Sequence, residues 1–191
     1  RRSGCHRSYC SAMTGFPAQV FFELWNKLVP RAYPTPAWKC RERPVRVMSM
    51  GNEQKQLVLI PCDGSAPLAT LQAVSNLARL KSAKSAKEPW PAEPMQGHPG
   101  EWQPGVRLLH PRLLWLLHTI ADTYRWRAIY IYSGYRRRPG RTPKSHRSMH
   151  HVGRALDIHV QGVDNKHLLR ACNGQPDTGC GYYPNGKFVH I

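Results

Sequence analysis

Apolar positions recur at intervals of three and four along several parts of the chain, and this spacing predicts helices. The strongest pattern predicts a helix over residues 107–126, with an apolar face built by Leu109, Leu113, Leu116, Leu117 and Ile120. A second stripe predicts a helix over residues 68–80, formed by Leu71, Val74, Leu77 and Leu80. Similar but shorter patterns predict helices over residues 19–28 and 163–172.

Short apolar or alternating runs between these segments predict strands. Residues 45–50 and 54–60 flank Gly51-Asn52, and residues 181–184 and 188–191 flank Asn185-Gly186, so each pair predicts a hairpin. Two further strands are predicted over residues 128–133 and 154–160. Helices mixed in this way with short, largely antiparallel strands predict an α+β fold, in which a small sheet is flanked by helices.

The distribution of breaking residues predicts the domain organisation. Residues 1–40 form a basic N-terminal extension, and residues 41–191 form a single domain whose motifs lie within 104–191. Lysine, proline and glycine interrupt residues 81–105, which we interpret as a surface connection. We place no domain boundary there, because the part before it is too small to bury its own core.

The charge balance changes the picture of the partners. The 191-residue chain has 28 basic and 11 acidic residues, a formal net charge of +17. Such a charge attracts polyanions, which include nucleic acids, bacterial wall polymers and anionic lipid surfaces. No Lys/Arg-rich recognition helix and no zinc-finger spacing occurs, so nucleic acid is an unlikely main partner.

Six cysteines without a Cys-x-x-Cys pair favour disulfides and an oxidising compartment, with six reduced cysteines as the alternative. Proximity suggests three pairs: Cys5–Cys10, Cys40–Cys62 and Cys172–Cys180. No apolar run reaches the roughly 20 residues that a membrane span needs, so no transmembrane segment is predicted. No signal peptide opens the chain at Arg1, so an exported protein is expected here in a mature or trimmed form.

The order and spacing of two imidazoles and one carboxylate suit a catalytic zinc site. His150, Asp157 and His190 would supply three protein ligands and leave a fourth position for water. Strand alternation puts Asp157 and His159 on one face of an otherwise apolar segment, where a buried carboxylate needs a partner. If the strand that holds His190 is a neighbour, Asp157 and His190 converge.

The spacing by itself leaves other interpretations open. The chain has ten histidines, and a loose His-to-Asp spacing arises easily by chance. His190 is also compatible with an ordinary hydrogen-bonded strand histidine, and His151 competes with His150 for the ligand position.

Three stretches in the C-terminal half resemble a known family of enzymes. They are Ser133-Gly134-Tyr135-Arg136; then Ser148-Met149-His150 through Gly153, Ala155 and Asp157-Ile158-His159; and finally Gly181-Tyr182-Tyr183-Pro184 followed by Phe188-Val189-His190-Ile191. In this order they resemble zinc peptidases of the lysostaphin, D-Ala-D-Ala metallopeptidase and hedgehog group, with the closest likeness to murein endopeptidase K-like proteins. The resemblance covers residues 104–191 and extends weakly to the hairpin near residue 46.

The resemblance implies roles for individual residues. It implies zinc as the cofactor with His150, Asp157 and His190 as its ligands, because the family pattern places the first ligand two residues after Ser148. It implies that Arg136 stabilises the oxyanion or holds a substrate carboxylate. The further candidates are Ser148, Tyr182 and Tyr183 for substrate binding and His159 for support of the catalytic site. Their alternatives are a solvated arginine, a turn-capping serine, packing tyrosines and a surface histidine.

The resemblance also implies an activity, which is zinc-dependent hydrolysis of amide bonds in peptidoglycan stem peptides or cross-links, as an endopeptidase or a carboxypeptidase. Peptidoglycan is the expected partner, with anionic wall polymers as a second one, in the periplasm or outside the cell. The family places an aspartate after its last histidine and a hydrophobic residue, whereas the sequence here stops at Ile191, and no glutamate follows Glu101. The alternative is therefore a catalytically impaired, zinc-bearing module that binds the cell wall.

Overall fold

The structure is a computed structural model that describes residues 42–79, 100–136 and 148–191. The predicted helix over residues 19–28, the basic extension and most of the predicted surface connection lie outside the described residues. The division of the chain at residue 40 therefore stays a prediction.

The described residues form three helices and six strands. The strands are β1 (Val45–Ser49), β2 (Gln54–Leu57), β3 (Ile129–Ser133), β4 (Asp157–Val160), β5 (Gly181–Tyr182) and β6 (Val189–His190). The helices are α1 (Leu68–Leu77), α2 (Pro111–Thr123) and α3 (Asn165–Asn173), and a 3₁₀ turn spans Met149–Val152. Every strand and helix predicted in these segments is present, with ends that differ by a few residues.

The six strands form one mixed sheet with the order β2-β1-β3-β4-β6-β5. The β1–β3 pair is parallel, and the four other pairs are antiparallel. The first hairpin, residues 45–57, therefore belongs to the same sheet as the strands that carry the sequence motifs. The predicted α+β class is confirmed.

The two faces of the sheet differ in polarity. Val45 and Val47 of β1, and Ile129 and Ile131 of β3, are fully buried in the core together with the apolar faces of the helices. On β3, the alternate positions Tyr130 and Tyr132 are only half-buried. This strict alternation leaves one face of the sheet for the core and the other for polar and aromatic side chains.

Helix α2 begins at Pro111, four residues later than the apolar pattern predicted. Proline fits the first turn of a helix, and the side chain of His110 caps it by accepting a hydrogen bond from the backbone N–H of Arg112. Leu109 is buried although it precedes the helix, so the apolar stripe included an extended residue that packs in the same core.

A helix cap and a disulfide hold the C-terminal part of the chain. Asp164 caps α3 by accepting a hydrogen bond from the N–H of Lys166, and Cys172 at the end of this helix forms a disulfide with Cys180, as predicted. Cys62 is also disulfide-bonded. The other cysteines lie outside the described residues.

Among the helices that the structure describes, none combines the length and the apolar character needed to cross a membrane.

Candidate metal centre

The pairing of β4 with β6 brings two of the predicted ligands together. Asp157 and His190 are direct partners in this antiparallel pair. Partners in a ladder lie on the same face of a sheet, so both side chains occupy the polar face. His190 Nδ1 lies 2.9 Å from Asp157 Oδ1.

His150 reaches the same point from the 3₁₀ turn. The turn ends at Gly153, which has a left-handed conformation with φ of 68°. A Cβ atom at Gly153 would lie only 2.8 Å from the carbonyl oxygen of Leu108, so glycine is required both by conformation and by space. His150 is 1% exposed, and its Nε2 lies 3.2 Å from His190 Nδ1 and 3.3 Å from Asp157 Oδ1.

One ligand-type atom from each of these residues lies within 4.8 Å of the other two, an arrangement that could hold a metal ion. His150 Nδ1 lies 2.6 Å from the carbonyl oxygen of Gly134, an acceptor, so this nitrogen carries the proton. The lone pair of Nε2 then faces the other two residues, which is the orientation that a metal-binding histidine needs.

Asp157 is a buried carboxylate that keeps its negative charge. Burial by itself raises its pKa, but the contacts with His150, His190 and Ser133 outweigh burial and hold the pKa of this carboxyl well below its usual range. The guanidinium of Arg136 lies 3.6 Å from Asp157 Oδ2. The site is therefore built around an anionic oxygen, which is what a cation requires.

The comparisons with known proteins agree with this geometry. The model of the Peptidase M15 family matches residues 92–191, just over half of the chain. The chain belongs to the Peptidase M15 family.

Curated relatives were found for a shorter stretch of this M15 chain. It is 38% identical over 45 residues to the peptidoglycan L,D-endopeptidases MepK of Escherichia coli K12, E. coli O157:H7 and Shigella flexneri. The match covers 24% of this chain and 25% of each relative. No solved structure matches the chain.

Two other histidines of this M15 chain, His151 and His159, lie near the three-residue group but do not belong to it. His151 is not part of the three-residue group; its Nδ1 donates to the carbonyl oxygen of Arg136 at 2.9 Å, so His150 and not His151 joins Asp157 and His190. His159 lies two residues after Asp157 in β4, and its Nδ1 is 3.1 Å from the side-chain oxygen of Asn165. It shares the polar face but is outside the group.

The three predicted substrate-binding residues of this M15 chain, Ser148, Tyr182 and Tyr183, lie in different surroundings. Ser148 directly precedes the 3₁₀ turn, but its side chain makes no capping hydrogen bond, which disfavours the capping alternative. Tyr183 is 51% exposed, and its ring lies 5.6 Å from that of Phe188. Tyr182 pairs with the buried Val189 on the face opposite to His190, which favours the packing alternative for this tyrosine.

Sequence reasoning gave no role to two residues at the end of β3. Ser133 donates a hydrogen bond to Asp157 Oδ2, and the carbonyl of Gly134 accepts the one from His150. Both residues belong to a motif that the sequence analysis quoted. Their contacts depend on strand register and backbone direction, which a residue pattern does not specify.

Proposed function

We propose that this chain is a zinc-dependent peptidase that hydrolyses amide bonds in peptidoglycan stem peptides or their cross-links. The observation that carries the proposal is the convergence of His150, Asp157 and His190 from three separate elements in a member of the Peptidase M15 family. Two imidazole nitrogens and one carboxylate oxygen are a donor set typical of catalytic zinc.

The separations of the donor atoms support zinc over a larger cation. Atoms at about 2.0–2.1 Å from a tetrahedral zinc ion lie about 3.3–3.4 Å apart. The three separations here are 2.9, 3.2 and 3.3 Å, so only small movements are needed. Calcium prefers six to eight oxygen ligands, and magnesium also favours oxygen, so a set with two nitrogens disfavours both. Zinc in such a site supplies a Lewis acid for the carbonyl and a water of lowered pKa.

Arg136 is the residue that we propose to bind the negative charge of the reaction. Its side chain is 45% exposed and its Nη2 lies 3.6 Å from Asp157 Oδ2, so it reaches from solvent to the edge of the metal group. A guanidinium there can stabilise an oxyanion as it develops or bind a terminal carboxylate of the substrate. We propose that Ser148 and Tyr183 contact the substrate and that His159 supports the catalytic site.

Peptidoglycan is the proposed substrate because the curated relatives are named peptidoglycan L,D-endopeptidases. The net charge of +17 suits adsorption to a wall that carries anionic polymers. The Cys172–Cys180 disulfide and the disulfide-bonded Cys62 suit an oxidising compartment, so we propose a periplasmic or secreted location.

The test begins with the metal content of the purified full chain, measured by elemental analysis together with His190→Ala and His151→Ala variants. We expect one zinc per chain in the wild type and in His151→Ala, and none in His190→Ala. Purified peptidoglycan is then digested, and mass spectrometry of the products identifies the bond that is cut. A wild-type chain that takes up no zinc after dialysis against it contradicts the proposal.

A second function, a zinc-bearing module that binds the wall without cutting it, follows from the composition of the metal group. Within the described residues, Asp157 is the sole carboxylate of this group and serves as a ligand. A peptidase also needs a group that accepts a proton from water. Zinc-loaded protein that binds peptidoglycan but releases no fragments supports this second function.

A further inference from the structure

The pairing of β3 with β4 contains an irregularity next to the metal group. Ile129, Tyr130 and Ile131 pair in regular order with Val160, His159 and Ile158. The register then shifts between Ile131 and Ser133, so that Ser133 and not Tyr132 lies opposite Asp157. A bulge of this kind inserts one residue into a strand and redirects a side chain, and bulges are common beside active sites.

The redirected side chain contacts a proposed metal ligand. Ser133 is 6% exposed, and its hydroxyl donates to Asp157 Oδ2 at 2.5 Å. The other oxygen of the same carboxylate, Oδ1, is the one that faces His150 and His190. Ser133 thus binds the oxygen that points away from the metal group and leaves Oδ1 for the cation.

We propose that Ser133, placed by the β-bulge, is a positioning residue that fixes Asp157 for binding of the metal through Oδ1 alone. This inference rests on the proposed metal site. A carboxylate turns freely about its Cβ–Cγ bond unless one oxygen is held, and a metal site loses affinity when the groups behind its ligands are removed.

Arg136 does not replace Ser133 in this role. Its Nη2 lies 3.6 Å from Asp157 Oδ2, and its side chain is 45% exposed, so its contact is longer and competes with solvent. The Ser133 hydroxyl is a buried donor on a strand whose backbone is fixed by pairing on both sides. Buried, rigidly held donors position a ligand better than flexible exposed ones.

The neighbouring residue positions a second ligand from the same strand end. The carbonyl of Gly134 accepts from His150 Nδ1, while its N–H donates to the carbonyl of Ala78 at 2.8 Å. A Cβ at Gly134 would lie 2.6 Å from the Cβ of Ala78, so this backbone is held tightly against the end of α1. Ser133 and Gly134 therefore orient two proposed ligands, Asp157 and His150. Both contacts require the strand register that follows the bulge.

The experiment compares the zinc affinity of the wild type with those of Ser133→Ala and Ser133→Thr, by competition with a chromophoric chelator. Loss of the hydroxyl is expected to weaken zinc binding about 10- to 100-fold, whereas threonine keeps a hydroxyl and should stay within about threefold of the wild type. Ser75→Ala is the matched control, because Ser75 is also buried and hydrogen-bonded, to Leu71 and Leu109, but far along the chain from the metal group. It should lose stability and keep its zinc affinity.

Thermal unfolding of the metal-free proteins shows whether each variant folds. If Ser133→Ala does not fold, the comparison moves to Ser133→Thr and Ser133→Val, whose side chains have the same shape and differ by the hydroxyl. Unchanged affinity in a folded variant without the hydroxyl overturns the role of Ser133 while the zinc site stands. A wild type without zinc overturns the proposed function itself, and this inference with it.

Discussion

At the scale of single residues, Asp157 shows how a charged group is tolerated inside this protein. Four side chains surround its carboxylate: Ser133, Arg136, His150 and His190. An unpaired buried carboxylate costs several kcal/mol, whereas one that accepts hydrogen bonds from several donors stays ionised. The same ionised oxygen attracts both histidines and, in our proposal, the metal.

Substitution of Asp157 by asparagine keeps the shape of the side chain and removes its charge. We expect Asp157→Asn to lose zinc binding by at least about 100-fold and to abolish hydrolysis, because a neutral amide is a weak ligand for zinc. Isothermal titration with zinc and a muropeptide digest measure the two effects.

Asp164→Asn provides the control for this substitution. Asp164 caps α3, and asparagine is an equally good N-cap, so zinc affinity and stability should both stay close to those of the wild type. An Asp157→Asn protein with wild-type zinc affinity would rule out Asp157 as a ligand.

His110 makes the stability of the fold depend on pH. Its pKa is lowered to about 4, first by burial and then by the nearby Arg154 and Arg112. The folded state therefore binds a proton less readily than the unfolded state, whose histidine has a pKa of about 6.5. The stabilisation is complete above about pH 6.5 and is lost as the pH falls from there towards 4, with an upper limit of about 3 kcal/mol.

The measurement is urea unfolding at several pH values between about 4 and 7, for the wild type and for His110→Asn. Asparagine can still cap α2 but does not titrate, so the variant should lose less stability on acidification. Identical pH profiles for the two proteins would contradict this role of His110.

At the scale of elements, the short hairpin β5–β6 depends on a covalent support. The disulfide between Cys172 and Cys180 closes a sequence separation of 8 residues and joins the end of α3 to the start of β5. Gly181 of β5 then pairs with His190 of β6. A strand pair of two residues each has little stability of its own, so the disulfide helps to hold the strand that bears a proposed ligand.

Removal of this disulfide should reduce both stability and metal affinity. For the double variant Cys172→Ala/Cys180→Ala we expect a loss of about 2–3 kcal/mol in the free energy of unfolding, from the greater entropy of the unfolded chain. Zinc affinity should fall as well, because His190 is held less firmly. Denaturant unfolding and chelator competition measure these effects, and unchanged values in both would show that β6 is fixed by the sheet alone.

At the scale of the whole molecule, the sheet separates the core from the proposed chemistry. The buried face packs against the helices, while Asp157 and His190 lie on the other face, which also carries the paired residues Tyr130 and His159. The chain as a whole also carries a net charge of +17.

This charge predicts that the proposed binding to the cell wall depends on salt. Adsorption of the zinc-free chain to purified walls with anionic polymers should weaken at least about tenfold between about 0.05 and 0.5 M salt, because surface charges are then screened. A pull-down with walls measures this, and walls stripped of anionic polymers are the control. Strong binding that is independent of salt would show that charge is not the main attraction.

The sequence by itself determined the class of fold, the elements and the three residues that we propose as metal ligands. Apolar periodicity located α1, α2 and the strands, since burial of one face requires that spacing. The motif around His150, Asp157 and His190 was specific enough to indicate their chemistry. The start of α2 at Pro111 was not predicted, because the buried Leu109 continues the apolar stripe in the extended segment before the helix.

Only the tertiary structure decided how these residues meet. The 3₁₀ turn brings His150, which the family pattern already indicates, to Asp157 and His190, and the contact of Ser133 with Asp157 depends on a one-residue shift in strand register. Tyr182 lies on the face opposite to His190 for the same kind of reason. A residue pattern records which side chains are apolar, but strand pairing between distant segments determines which side chains share a face, and pairing is set by the packing of the whole sheet.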